Sequence, residues 1–194
     1  MDKKIIAVTG GIATGKTAFC AVLKKRGFPV INLDDINRNL LKKPAIISVL
    51  AKTFGKKIKK GRGINRKMLA DIVFSDTAKR KKLESILHPL ILEEMNKSIA
   101  AEKQSIIFVE VPLLFETGWN KQFDVIVTVY APQKTQFSRL LKAGFSRKDA
   151  EGRIASQMDI EKKKKLSDFV VSNTSAQKDL EKAAERLFLY LNSA

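Results

Sequence analysis

Eight residues near the start of the chain carry the clearest chemistry. Gly10-Gly11-Ile12-Ala13-Thr14-Gly15-Lys16-Thr17 satisfies the spacing Gly-x4-Gly-Lys-Ser/Thr. That spacing suits a loop that wraps a triphosphate. Gly10 and Gly15 permit backbone angles that a Cβ forbids. Gly11, Ala13 and Thr14 are small enough for the backbone to approach phosphate oxygens closely. The inward amides form an anion nest backed by the positive end of a helix beginning near Lys16. Lys16 would reach the β- and γ-phosphates, and the Thr17 hydroxyl would ligate Mg²⁺. The pattern follows an apolar run and opens a helical one, which is the context that separates a phosphate loop from a chance glycine turn. By itself it does not distinguish a kinase from a GTPase or a motor. No Asn-Lys-x-Asp guanine-reading motif occurs, and no Asp-x-x-Gly follows the second apolar run.

Acids supply the second half of the chemistry. The run "VINLDD" brings Asp34 and Asp35 to the carboxyl edge of an expected strand, where open parallel sheets bind ligands. Asp34 is placed to orient or deprotonate an acceptor hydroxyl, and Asp35 reads better as the cap of the next helix. Glu110 closes "IIFVE", the position from which a carboxylate reaches Mg²⁺ or its water shell. Strands often finish with a charged residue, so that feature alone is weak. Glu116 is a second candidate in the same turn.

These residues need a sheet to position them. Five apolar, β-rich runs, Lys4–Thr9, Pro29–Leu33, Ser105–Val111, Val125–Tyr130 and Phe169–Ser172, are near-continuous in apolar character, as for strands covered on both faces. Helical patterns alternate with them, which predicts a parallel sheet with right-handed crossovers. The fold class expected is α/β: a P-loop NTPase three-layer sandwich with a five-stranded parallel sheet, an inserted helical lobe and a helical lid. One domain over 1–194 is expected, with core segments 1–35, 104–133 and 167–194, a lobe at about 36–103 and a lid at about 134–166.

Hydrophobic residues at 44% and charged residues at 29% describe a soluble globular chain. No apolar stretch approaches a bilayer span, and the opening segment is too short for a signal peptide. The single cysteine, Cys20, excludes an internal disulfide framework and agrees with a reducing cytoplasm; it reads as a small buried residue on the first helix. The formal charge of +17 is uneven: no Asp or Glu occurs from Ile36 through Ala70, where eleven Lys and Arg residues fall, Arg62 among them. A second cluster, "EKKKKL", covers Glu161 to Leu166. Solvated faces are the bland reading of both, and steering of a polyphosphate substrate is the functional one. No nucleic-acid module accompanies them.

The chain resembles the dephospho-CoA kinase family over nearly its whole length. The resemblance rests on "VTGGIATGKT", "VINLDDINR", Phe54-Gly55, "LHPLI", "VPLLFE", "RIASQM" and "DFVVSN". It implies ATP-dependent phosphorylation of the ribose 3′-hydroxyl of dephospho-CoA, the last step of coenzyme A biosynthesis, with ATP and Mg²⁺. Asp34 falls on the family's catalytic aspartate. Arg38, His88, Pro112 and Leu113 fall on the acceptor side, and Ala13 to Ala18 fall on the segment holding the ATP phosphates. Asn173 comes near the adenine pocket. Without the resemblance, His88 reads as a helix-end histidine before Pro89.

Two departures stand out. Asn32 replaces the first acid of the family's usual Asp-x-Asp, and Ala143-Gly144 stands where the lid has Arg-Asp. The cation on the transferring phosphoryl group then has to come from Arg139, Lys142 or Arg147, with Arg139 the first choice. Expected partners are the small-molecule substrate alone, with no specific nucleic acid and no membrane, in a cytoplasmic monomer or weak homo-oligomer. A nucleoside or nucleotide monophosphate kinase is the close alternative, and a basic nucleic-acid-binding ATPase the distant one.

Overall fold

The computed structural model describes residues 3–61, 63–174 and 177–193. Arg62 of the basic run, and Met1, Asp2, Ser175, Ala176 and Ala194 of the expected core segments, lie outside the described residues. In chain order the elements begin β1 (Lys4–Gly10), α1 (Lys16–Lys25), β2 (Val30–Asn32), α2 (Leu33–Leu40) and α3 (Pro44–Phe54). A short hairpin of β3 (Lys59–Lys60) and β4 (Gly63–Ile64) precedes α4 (Arg66–Phe74) and α5 (Thr77–Ala101). Then come β5 (Ile106–Glu110), β6 (Val125–Tyr130), α6 (Gln133–Lys142), α7 (Arg147–Ala155), α8 (Ile160–Lys165), β7 (Phe169–Ser172) and α9 (Gln177–Ser193).

The chain divides into two compact units, Met1–Ile31 with Glu102–Ala194, and Asn32–Ala101. The first holds the sheet, whose strand order is β2-β5-β1-β6-β7. Its β1 lies at the centre, paired in parallel with β5 and with β6. Ile6, Ala7 and Val8 are fully buried there, which explains why this strand reads as continuously apolar. The register sets Val8 opposite Glu110 and Gly10 opposite Val129, so the loop after β1 and the acid ending β5 share the carboxyl edge. Phe19 and Leu23 of α1 and Leu180, Ala183, Leu187 and Leu191 of α9 join Ile6, Val8, Phe108, Val127 and Val171 in one buried cluster. Phe28 stacks on Phe188 with centroids 4.5 Å apart, sealing its rim.

The second unit is helical apart from the β3–β4 hairpin. Its α5 runs for 25 residues straight through Pro89, so His88 lies mid-helix and not at a helix end. A proline inside a helix removes one backbone hydrogen bond. Here the buried stripe Leu87, Ile91 and Met95 continues at four-residue spacing across it, and that packing keeps the helix going. Among the described residues, no helix is long and apolar enough to cross a membrane.

Candidate active site

The phosphate-loop residues sit between β1 and α1 in a conformation that the sequence dictates. Gly10 has φ 148° and Gly15 φ 95°. A Cβ on Gly10 would lie 2.4 Å from the Val129 carbonyl oxygen, and one on Gly15 would lie 2.0 Å from Asn173 Nδ2. Neither position admits another residue without moving its neighbour. Ala13 also takes a positive φ, 56°, which glycine favours and which costs an alanine some strain. α1 starts on Gly15 with no side-chain cap and no acid in its first turn. Such a start leaves first-turn amides as donors for an anion.

Around the loop, Lys16 Nζ donates to the carbonyls of Gly10 and Gly11 at 3.2 and 2.9 Å. Thr17 Oγ1 donates to Glu110 Oε1 at 3.2 Å, and Glu110 is 5% exposed. Cys20, one turn further along α1, is buried as expected. Burial, and next the Glu110 carboxylate, push its thiol up to about 12. On the loop's other flank Asn173 Nδ2 donates to Thr14 O at 2.7 Å. Arg139 does not stand free to meet a phosphoryl group. Its Nη1 donates to Ala13 O and Thr14 O at 3.0 and 3.3 Å, and its Nη2 to Asn173 O at 2.9 Å. Carbonyls are natural acceptors for a planar five-donor fork, and three of them hold this side chain as a brace.

The turn after β5 holds Pro112, Leu113 and Glu116. Leu113 is exposed, whereas the Pro112 carbonyl accepts from Lys163 Nζ at 3.0 Å. Glu116 is no free metal ligand: Lys163 Nζ lies 2.8 Å from its Oε1. The Lys163 side chain is 0% exposed, so neither the solvated reading of "EKKKKL" nor the steering one applies to this lysine. Ile160 and Lys163 share the buried face of α8, and helical phase selects this lysine from its three neighbours.

Asp34, Arg38 and His88 belong to the other compact unit. The second strand ends at Asn32, one residue earlier than expected, and α2 begins at Leu33. Asn32, not Asp35, is the cap: its Oδ1 accepts from the Asp35 amide at 3.1 Å. Asparagine is among the best capping residues, and acids in the first turn suit the positive helix end. Both aspartates are therefore first-turn residues of α2. Asp35 is paired with the Arg38 guanidinium. The exposed Asp34 carboxylate takes no hydrogen bond from the described residues. Asp34, Asn37 and Arg38 share a face at i, i+3 and i+4. No group of three or more His, Cys, Asp and Glu residues fit to hold a metal ion occurs among the described residues.

The sequence model of the dephospho-CoA kinase family matches residues 4–179. The chain belongs to the dephospho-CoA kinase family. A dephospho-CoA kinase from Helicobacter pylori is 41% identical over 190 residues, which cover 95% of each chain. The solved dephospho-CoA kinase from Campylobacter jejuni is 30% identical, with a TM-score of 0.70 and 97% of each chain covered. A Thermus thermophilus protein of known crystal structure reaches a TM-score of 0.90 at 31% identity, over 98% of this chain and 99% of that one. Membership makes this chain a P-loop kinase, and its reaction is the ATP-dependent phosphorylation of dephospho-CoA in coenzyme A biosynthesis.

Within a dephospho-CoA kinase the remaining placements gain meaning. Sequence reasoning singled out neither Gln157, whose Oε1 accepts from the Ile12 amide at 2.7 Å, nor the buried Gln136, whose Nε2 donates to Ala131 O at 2.9 Å. Gln157 lay inside "RIASQM", but a lone glutamine carries no chemical signature of its own.

His88 makes its own prediction. Burial lowers its pKa from the ordinary 6.5, with Glu84 pulling weakly the other way. The unfolded chain therefore binds the proton first, and stability should fall as pH drops from 6.5 through the lower folded-state midpoint. As the chain's one histidine, it gives a single ring-proton titration by NMR. A midpoint at or above 6.5 would contradict the burial argument.

Proposed function

We infer that the donor ATP lies with its phosphates in the loop Gly10–Thr17, held by the amides of Gly11 and Ala13 to Ala18 and by Lys16. In this reading Asp34 accepts the proton of the ribose 3′-hydroxyl of dephospho-CoA as that oxygen attacks the γ-phosphorus. The new O–P bond forms while the bond to the β–γ bridging oxygen breaks, and ADP leaves with that electron pair. Lys16 supplies the positive charge facing the transferring group.

The observation that supports this most is the joint placement of Lys16, Thr17 and Glu110 at the carboxyl edge of the sheet. The chain leaves β2 for α2 through Asn32, two residues before Asp34. Thr17 Oγ1 and the Glu110 carboxylate are hard oxygen donors, which fits Mg²⁺ bound mainly through phosphates and water. When bound, that ion neutralises charge on the phosphate oxygens. Arg38, His88, Pro112 and Leu113 are assigned to the acceptor. Arg139 and Asn173 are assigned to bracing the loop from the nucleotide's side.

Acceptor competition tests this. With ATP as donor and ADP release as readout, dephospho-CoA should be used and nucleoside monophosphates refused. Phosphorus NMR of the product should show a new monoester on the 3′ position, and omitting Mg²⁺ should abolish turnover. A preference for a nucleoside monophosphate, or a monoester elsewhere, overturns the reading.

A further inference from the structure

The reaction as set out above does not use the segment between α7 and α8, yet that segment touches the phosphate loop. Ile12 N donates to Gln157 Oε1 at 2.7 Å across 145 residues of chain. The other end of the same peptide unit is the Gly11 carbonyl. It accepts from Thr14 Oγ1 at 2.9 Å and from Lys16 Nζ at 2.9 Å. A trans peptide is planar, with its N–H and C=O pointing oppositely. Fixing the N–H therefore fixes where the carbonyl points, and with it the resting place of the Lys16 ammonium.

Gln157 is itself held. Its neighbour Met158 donates its amide to Glu116 Oε1 at 2.9 Å. Glu116 is gripped by the buried Lys163, whose Nζ also donates to Pro112 O. The Lys163 carbonyl in turn accepts from Ser167 Oγ at 2.8 Å. A fully buried ammonium facing three acceptor oxygens has one low-energy position, so the Met158 backbone is fixed against the turn after β5. Gln157 also lines a cavity of about 240 Å³ together with Gly11, Gln136, Met158 and Asp159. Its Nε2 has no hydrogen-bond partner among the described residues.

We propose that Gln157 is a positioning residue for the donor nucleotide. Its Oε1 orients the Gly11–Ile12 peptide and so the amide nest and Lys16, and the Lys163–Glu116 pair keeps it in place. The proposal goes beyond the assignment of Asp34 and stands apart from it, because it concerns nucleotide binding alone.

The test uses the full-length chain with Gln157→Met, which keeps side-chain length and removes the acceptor, and Gln157→Glu, which keeps an acceptor. Three quantities are read: hydrogen exchange at the Ile12 amide, affinity for a non-hydrolysable ATP analogue without acceptor, and KM for each substrate. Gln157→Met should speed Ile12 exchange and weaken the analogue and raise the ATP KM by about 2- to 13-fold, the range of one net hydrogen bond. The KM for dephospho-CoA and the melting temperature should hold. Gln157→Glu should retain the Ile12 protection. Unchanged analogue affinity in Gln157→Met overturns the proposal. So does unchanged Ile12 exchange, or an equal loss for both substrates with a lowered melting temperature.

Discussion

Replacing Asp34 by asparagine is expected to slow turnover by ~10²–10⁴-fold, the usual worth of a positioned acid or base, while leaving ATP-analogue affinity unchanged. The substitution keeps size and shape and removes only the ability to take a proton. The surroundings of Asp34 make it a clean experiment. Its carboxylate holds no other described group, Asn32 remains to cap α2, and Asp35 keeps its pairing with Arg38. Loss of one negative charge from the first turn of an exposed helix end is worth only about 0.3–1 kcal/mol, so folding should barely change. Single-turnover rates and calorimetric titration with the analogue make the comparison. Turnover near that of the unmodified enzyme would remove Asp34 from proton transfer.

A second large effect is expected at Glu116, on stability. Glu116→Gln leaves the Lys163 ammonium buried without its counter-charge, and breaking such a pair from one side costs about 3–5 kcal/mol. For a chain of this size that lowers the melting temperature by roughly 6–20 °C. Lys163→Met should cost less, because the Glu116 side chain is 21% exposed and can rehydrate. The double change Lys163→Met with Glu116→Leu should recover much of the loss, since burying matched apolar groups avoids desolvating two ions. The pH dependence has a definite sign. Burial lowers the Lys163 pKa from 10.5, with Glu116 opposing. The unfolded chain then binds more protons on the alkaline side, so stability attributable to this group rises as pH climbs from the folded midpoint towards 10.5. Thermal melts of the four proteins across that range decide it. Equal melting temperatures for Glu116→Gln and the unmodified chain would show the ion pair to be dispensable.

The sheet was legible because its strands are buried on both faces, so continuous apolar runs marked β1, β5 and β6 within a residue or two. The loop was legible because phosphate binding needs backbone, and backbone freedom is written in glycine. What stayed hidden depends on partners distant in sequence. Arg139 looked like a free cation until the carbonyls of Ala13, Thr14 and Asn173 surrounded it. Lys163 was indistinguishable by type from the lysines flanking it, and only its phase on α8 sets it apart. The start of α2 was misread by three residues, because the aspartates of "NLDD" compete with Asn32 for the capping role and local spacing does not rank them. Gln157 acts through one amide 145 residues away, a relation that no local pattern encodes.

The lone sulfhydryl has a practical consequence. Cys20 packs inside the core beside Glu110, with its proton held to about pH 12, so the native protein offers an alkylating reagent almost no thiolate. Any labelling at neutral pH must therefore pass through a transient opening of α1, the helix that carries Lys16 and Thr17. The rate of reagent uptake becomes a built-in clock for how often the nucleotide-holding helix breathes, and nucleotide that grips this helix should slow the clock in proportion to its occupancy.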